Sequence, residues 1–537
     1  MVDFLPFFRP QRALLVLGSA LTVFFAIFLQ NSGAFPLDVV TFFFFSFVLF
    51  LFASYRLGWT FLFFVALIPL EIIDIAPSLL GGLALRPYQW VAGILLLALG
   101  TRFLLGRLPF RLFRPMWFDA LPVVIAFGGF VALFGAPNPG IALKQALVLV
   151  SFVAIYFLGR IFWRTLYDVR QTLPFFFVSS SIVFGYALWQ NIRFRFGQES
   201  FQVMTGRPNA TFSEADWLGM FTLVVLGALL ALLLRYRFVW HRLRKHTQEI
   251  WQLGFLFSAL VLSMTVLILT MARSAWLGAV ALIGVFVCAV LFEHGWREVH
   301  SGAKNLVLPL GTLLSSSLLA LACIYLFTLS PFQLLNRIQS TGGLQMITIA
   351  CNAPVVLPEK ITALNELEAL QCRHIDLEAI EIEKSAGKFV TEIARPDPNV
   401  TIRREIYSIL LTLLQNHFLV GIGWGNAQYF LGTDERGSGL NASNVFLEVW
   451  LGSGMIGLLS FVVMWSALFF SSFRWFFHVG NTAEEKALAL FLFTALVGIT
   501  VFNLFNSGIL LGFFFLFLSL GALVIENQQK LIEPVSE

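Results

Sequence analysis

Apolar runs of membrane-crossing length recur along the whole chain, and nothing else in it restricts the possible folds so sharply. Segments such as LLVLGSALTVFFAIFL and VVTFFFFSFVLFLF carry no charge. As helices of about 20 residues they match a hydrocarbon core roughly 30 Å thick. The runs continue to the C-terminus, so a single cleaved signal peptide does not explain the first of them. Of 537 residues 58% are hydrophobic and 12% charged, with 61 phenylalanines and a mean hydropathy of +0.84, which sets the chain apart from soluble globular domains.

About fourteen spans are expected, centred near residues 21, 45, 64, 96, 126, 150, 182, 226, 261, 283, 318, 458, 495 and 516. Charge placement orients them. With a cytoplasmic N-terminus, the inside connections hold Arg9, Arg12, Arg56, the arginines from Arg102 to Arg114 and from Arg160 to Arg170, and the basic run from Arg235 to Lys245. The outside connections before residue 330 carry only Arg86, Arg193, Arg195, Arg207 and Arg273. That asymmetry follows the positive-inside rule and predicts both termini inside. The net charge of +5 therefore reflects topology, and no basic face with interleaved aromatics points to nucleic acid.

The expected fold class is an all-α integral membrane protein, with a small α/β extracytoplasmic insert in the long loop between the eleventh and twelfth spans. A structureless loop of more than a hundred residues would be unusual. Within it GLQMITIA reads as a strand, PEKITALNELEAL as a helix, and IDLEAIEIEK and GKFVTEIA as two further strands joined at SAG. The domain boundaries follow: a transmembrane scaffold of about seven spans over 1–190, a core with outer-face loops over 191–330, a large loop over 331–445 with its insert at about 340–398, and C-terminal spans with a short tail over 446–537. Cys351 and Cys372 both lie in the loop, where an oxidising compartment would permit a disulfide without dictating one. Cys288 and Cys323 read as packing residues, and no CxxC or His-rich spacing suggests a metal or cofactor.

Charged residues beside apolar spans are the candidates for chemistry, because loops at a membrane surface present polar groups that hydrocarbon cannot tolerate. Glu71 and Asp74 follow the third span. Lys144, just inside the sixth, either snorkels to the headgroups or holds a phosphate at the mouth of a cavity. In GRPNATFSEADWLGMF, Arg207, Glu214 and Asp216 either belong to a well-capped helix start or face the outer aqueous layer together. Arg273 sits in the tight turn LILTMARSAWLGAV, with Ser274 expected to cap the next helix. A guanidinium there either anchors to lipid phosphate or, as its compact placement favours, holds an anionic ligand, since its planar fork binds phosphate oxygens bidentately. The most unusual stretch runs from Thr401 to Glu448. It opens with Arg403 and Arg404, continues amphipathically through Tyr407 and Leu414, breaks at Gly421, Gly423 and Gly425, and carries Asp434 and Glu435 in a charged turn. His417 reads as a structural residue at a helix end.

Four signals in order, RPNATFSEADWLGMF, TMARSAWLG, RREIYSILL with NHFLVGIGWGN, and SNVFLEVWLGSGMIG, resemble the O-antigen ligase and O-antigen polymerase family of membrane glycosyltransferases over residues 205 to 460. The resemblance implies an all-helical fold and metal-independent transfer of a glycan from a polyprenyl diphosphate lipid to a glycan, lipid or protein hydroxyl, at the outer side of the cytoplasmic membrane. By position Arg273 and Arg404 would hold the diphosphate, with Arg403, Arg207 and Lys144 as further anion-binding candidates. Without a metal, the growing charge of the leaving diphosphate falls to arginines. Ligases of the family place a histidine before the Asn of their last loop motif, and this chain has Ser443 before Asn444. A serine is no general base at neutral pH, which shifts that role to Glu435, Asp434 or Glu214. Two other readings are a protein O-oligosaccharyltransferase of the same family and a transporter of lipid-linked glycan. A transporter would place its charges and broken helices near the bilayer midplane, whereas these cluster at one surface.

Overall fold

The computed structural model describes residues 10–77, 84–108, 110, 113–204, 206–236, 247–293, 295, 298–330, 344–362, 364, 366–375, 379–396, 398–433 and 439–532. The long helices before residue 330 are α1 (Pro10–Asn31), α2 (Val39–Tyr55), α3 (Leu57–Leu67), α4 (Pro87–Leu104), α5 (Trp117–Val131), α6 (Pro139–Phe162), α7 (Leu166–Arg195), α8 (Ala215–Tyr236), α9 (Thr247–Leu269), α10 (Arg273–Leu291) and α11 (Val299–Leu326). After a small sheet come α12 (Pro398–Asn416), α13 (Val445–Phe477), α14 (Ala483–Asn503) and α15 (Gly512–Ile532). Among the described residues ten helices are long and apolar enough to cross a membrane. The expected centres near 45 and 64 fall on the shorter α2 and α3, of 17 and 11 residues. At 1.5 Å per residue α3 reaches about 17 Å, roughly half a hydrocarbon core. Phe43, Phe44 and Phe47 of α2 expose more than half their surface, a face that lipid covers and water would not.

The C-terminal helices are threaded back into the N-terminal ones. Helix α13 lies along α5 and α14, α14 packs between α8 and α10, and α15 packs on α6. Small residues set the closest approach. A Cβ on Gly278 of α10 would stand 2.7 Å from the Gly498 carbonyl oxygen of α14, so the two backbones touch there.

The sheet is three-stranded and antiparallel, in the order β2–β1–β3, with β1 at Leu344–Cys351, β2 at Cys372–His374 and β3 at Phe389–Pro396. Ile347, Ile349, Ile361, Leu367 and Ile393 form its own core. Two sequence expectations need correction. The run expected as a strand is helical over Ala379–Ser385. Its Ile-Glu alternation imitates a strand, but Ala, Glu and Lys favour helix, and Gly387 at φ +78° ends it, with Gly387 and Lys388 N–H groups donating to the Lys384 and Glu383 carbonyls. Among its described residues, the segment expected as one helix is helical at Glu366–Ala369 alone, because Ile361 N–H pairs with the Ala394 carbonyl and ties the stretch before it to β3.

Cys351 and Cys372, opposite each other in the β1–β2 register, are joined in a disulfide 21 residues apart in sequence. Closing a loop of that length stabilises the insert by roughly 3 kcal/mol. Cys351→Ser is therefore expected to make residues 344–396 susceptible to limited proteolysis while the helical part stays resistant. Equal resistance in variant and parent would refute the stabilisation.

Candidate functional site

One end of the helix bundle gathers the polar candidates, and three sequence-distant segments position them. The first is the turn between α9 and α10. Met271, almost fully buried, adopts φ +53°, which turns the chain so that Arg273 is the first residue of α10. Arg273 is partly buried, and its place at a helix N-terminus adds the backbone N–H groups and helix dipole to its own charge, a setting that favours an anion. The N-cap is Ala272 and not Ser274. The Ser274 hydroxyl instead accepts from Asn506 Nδ2 at 2.8 Å. This bond is possible because the Gly278–Gly498 contact brings α10 and α14 close together just beneath it.

The second segment comprises the starts of α12 and α13. Arg403 lies over the Phe505 ring at 5.4 Å and donates to the Phe505 carbonyl at 3.4 Å, while Arg404 beside it is exposed. One turn on, Tyr407 donates its hydroxyl to the Ser443 carbonyl at 3.3 Å. Asn444 caps α13, accepting from the Phe446 and Leu447 N–H groups, and its Nδ2 donates to the Leu504 carbonyl at 3.3 Å. Ser443 itself adopts φ +48°, a left-handed conformation costly for a residue with a Cβ. The Glu448 carboxylate, accepting from Ala442 N–H at 3.1 Å, and the Asn441 side chain, accepting from Ser443 N–H at 2.9 Å, hold that turn.

The loop before α8 is the third. Arg207 is 8% exposed, donates to the Thr270 carbonyl at 2.8 Å and pairs with Asp216 at 3.2 Å. It thus ties this loop to the turn that carries Arg273. The same loop is anchored from behind, since the Thr211 carbonyl accepts from the Glu71 and Ile72 N–H groups. The Glu71 carboxylate accepts from Tyr88 and from Gly512 N–H, each at 2.8 Å, and pairs with Arg86 at 3.0 Å. Burial pushes this carboxyl above the ordinary carboxylate range, against the pull of the Arg86 charge. Glu71 thereby joins the loop before α8 to the N-terminus of α15.

Beneath the α12–α13 corner, the three glycines form a wound loop at φ +78° each. A Cβ on Gly421 would stand 2.4 Å from the Leu451 carbonyl oxygen, and one on Gly454, where α13 kinks at φ +66°, 2.3 Å from that of Leu419. Trp424 fills the centre, 1% exposed, donating Nε1–H to Ser453 Oγ at 2.9 Å, and Ser453 donates in turn to the Ile125 carbonyl of α5 at 2.8 Å.

The structure therefore brings Ser274, Arg403 and Asn444 onto residues 504–506, with Arg273, Arg404 and Ser443 next to them in sequence and the Arg207–Asp216 pair behind Arg273. Glu214 precedes α8 at the same end, and its carbonyl accepts from Leu218 N–H. Lys144 is exposed on the second turn of α6, next to Gln145, against which Gly425 packs. Asp434 and Glu435 lie outside the described residues. Sequence reading missed Leu504, Phe505 and Asn506, which link α13, α12 and α10 respectively. The polar run NLFNSG interrupting two apolar spans was the available signal.

Residues 258–462 match the family model described as O-antigen ligase. No curated protein and no solved structure matches the chain.

Proposed function

From a multi-pass membrane protein related to the O-antigen ligase family, we propose a glycosyltransferase of surface polysaccharide assembly that takes its glycan from a polyprenyl diphosphate lipid. The observation that carries this reading is the convergence on Leu504–Asn506. It sets two cationic elements, the Arg273 helix start and the Arg403–Arg404 pair, around one polar corner. In this reading Arg273 and Arg404 hold the diphosphate and neutralise the charge that grows on it as the sugar–oxygen bond breaks. Arg403, committed to Phe505, steadies the corner. Arg207, held by Asp216 and Thr270, positions the turn more than it meets the ligand. A carboxylate, Glu435, Asp434 or Glu214, takes the proton of the attacking hydroxyl. The charge asymmetry supports fourteen crossings of the cytoplasmic membrane, both termini inside and transfer on the outer face.

The test is incubation of the purified protein with polyprenyl diphosphate-linked oligosaccharide, following product size by gel and mass spectrometry. A ladder on the lipid identifies a polymerase, and a single transfer to an added acceptor a ligase. Transfer to a polypeptide identifies a protein glycosylation enzyme. An unconsumed donor with folded protein refutes the proposal.

A further inference from the structure

An apolar cleft of about 140 Å³ opens between α7, α8, α14 and α15, with its polar mouth at the end of the bundle opposite the candidate site. Leu173, Phe176, Leu232, Leu488, Phe491 and Phe517 line it, and a cleft with so apolar a lining suits an apolar guest. Its lining on α7 runs from Leu166 to Phe176, about 15 Å at the helical rise, or one leaflet of a bilayer. The polar groups sit together at one mouth. Arg170 pairs there with Glu484 at 3.6 Å, with their side chains 11% and 32% exposed. Trp163 lines the cleft at 3% exposure, and its indole Nε1–H has no hydrogen-bond acceptor among the described residues. A buried donor without an acceptor is costly, and a ligand oxygen would remove that cost.

We propose that this cleft binds one acyl chain of a zwitterionic aminophospholipid, with its phosphate on Arg170, its ammonium on Glu484 and an ester or phosphate oxygen accepting from Trp163 Nε1–H. The adjacent cation and anion match a phosphoethanolamine headgroup, whereas an anionic headgroup would meet the Glu484 carboxylate. The lipid-linked donor of the transfer reaction is a poorer fit. Glu484 lies in the first turn of α14 and Asn503 ends it, so the 21-residue helix separates this mouth from the Arg273 corner by about 30 Å. A diphosphate held at one cannot reach the other. The inference rests on the membrane fold and stands whether or not the transfer reading holds.

Native mass spectrometry and thermal unfolding of the delipidated protein test it, with phosphatidylethanolamine, phosphatidylglycerol and polyprenyl phosphate added separately. Phosphatidylethanolamine is expected to be retained about two- to fivefold better than phosphatidylglycerol and to raise the unfolding temperature. Trp163→Phe, which removes the N–H and leaves a smaller aromatic ring in its place, should lose that retention. Glu484→Gln should bring the two phospholipids to parity, and Leu232→Trp should fill the cleft and abolish retention of both. Equal retention of the two phospholipids by the parent protein, displacement by polyprenyl phosphate, or unchanged retention in Trp163→Phe would each overturn the assignment.

Discussion

Arg273→Ala is expected to lower glycan transfer by about 10²–10³-fold while leaving the protein's level in the membrane unchanged. That is the usual effect of deleting one preorganised group that stabilises developing charge. The expectation rests on how firmly the position is built. Buried Met271 in the left-handed region sets Arg273 at the helix start, Arg207 ties the preceding carbonyl of Thr270, and the Ser274–Asn506 bond fixes α10 against α14. Arg273→Lys keeps the charge but loses the bidentate geometry, and intermediate activity is expected. Asn506→Ala removes two neutral hydrogen bonds, to the Ser274 hydroxyl and the Phe502 carbonyl, and leaves every arginine in place, so the loss should be about tenfold. Initial rates with a lipid diphosphate donor, set against immunoblots of membrane fractions, decide the matter. Parent-level transfer by Arg273→Ala would end the diphosphate assignment.

The largest loss of stability is expected from Trp424→Ala, about 3–5 kcal/mol. The side chain is among the largest fully buried ones, and it is clasped on all sides. A Cβ on Gly452 would already lie 2.4 Å from its ring. Alanine would leave a cavity that the surrounding backbone cannot close, because Gly421 and Gly454 are locked against the carbonyls of Leu451 and Leu419. It would also remove the Nε1–H that Ser453 accepts. Trp424→Phe fills much of the void and should cost about 1–2 kcal/mol. Thermal unfolding of the protein in detergent reads both. A Trp424→Ala protein within about 1 kcal/mol of the parent would mean that the glycine loop is not the joint between α12, α13 and α5.

The amphipathic arginine-bearing stretch, the tight turn at Arg273 and the strands at Leu344–Cys351 and Phe389–Pro396 were all legible in the sequence, because each follows from a local pattern of charge, period or chain breaker. So was the membrane character of the fold, since hydropathy over a single helix decides whether that helix tolerates lipid. Local pattern misled where two signals competed, as at Ala379–Ser385, where alternation said strand and the glycine cap said helix. The tertiary structure alone decided which polar groups meet. Asn506 reaches Ser274 across 232 residues, Ser453 reaches Ile125 across 328, and Gly512 reaches Glu71 across 441. Such bonds leave no periodic trace in either partner's own segment. They form where glycines let two backbones touch, and the sequence shows the glycine without showing the backbone that will lie against it.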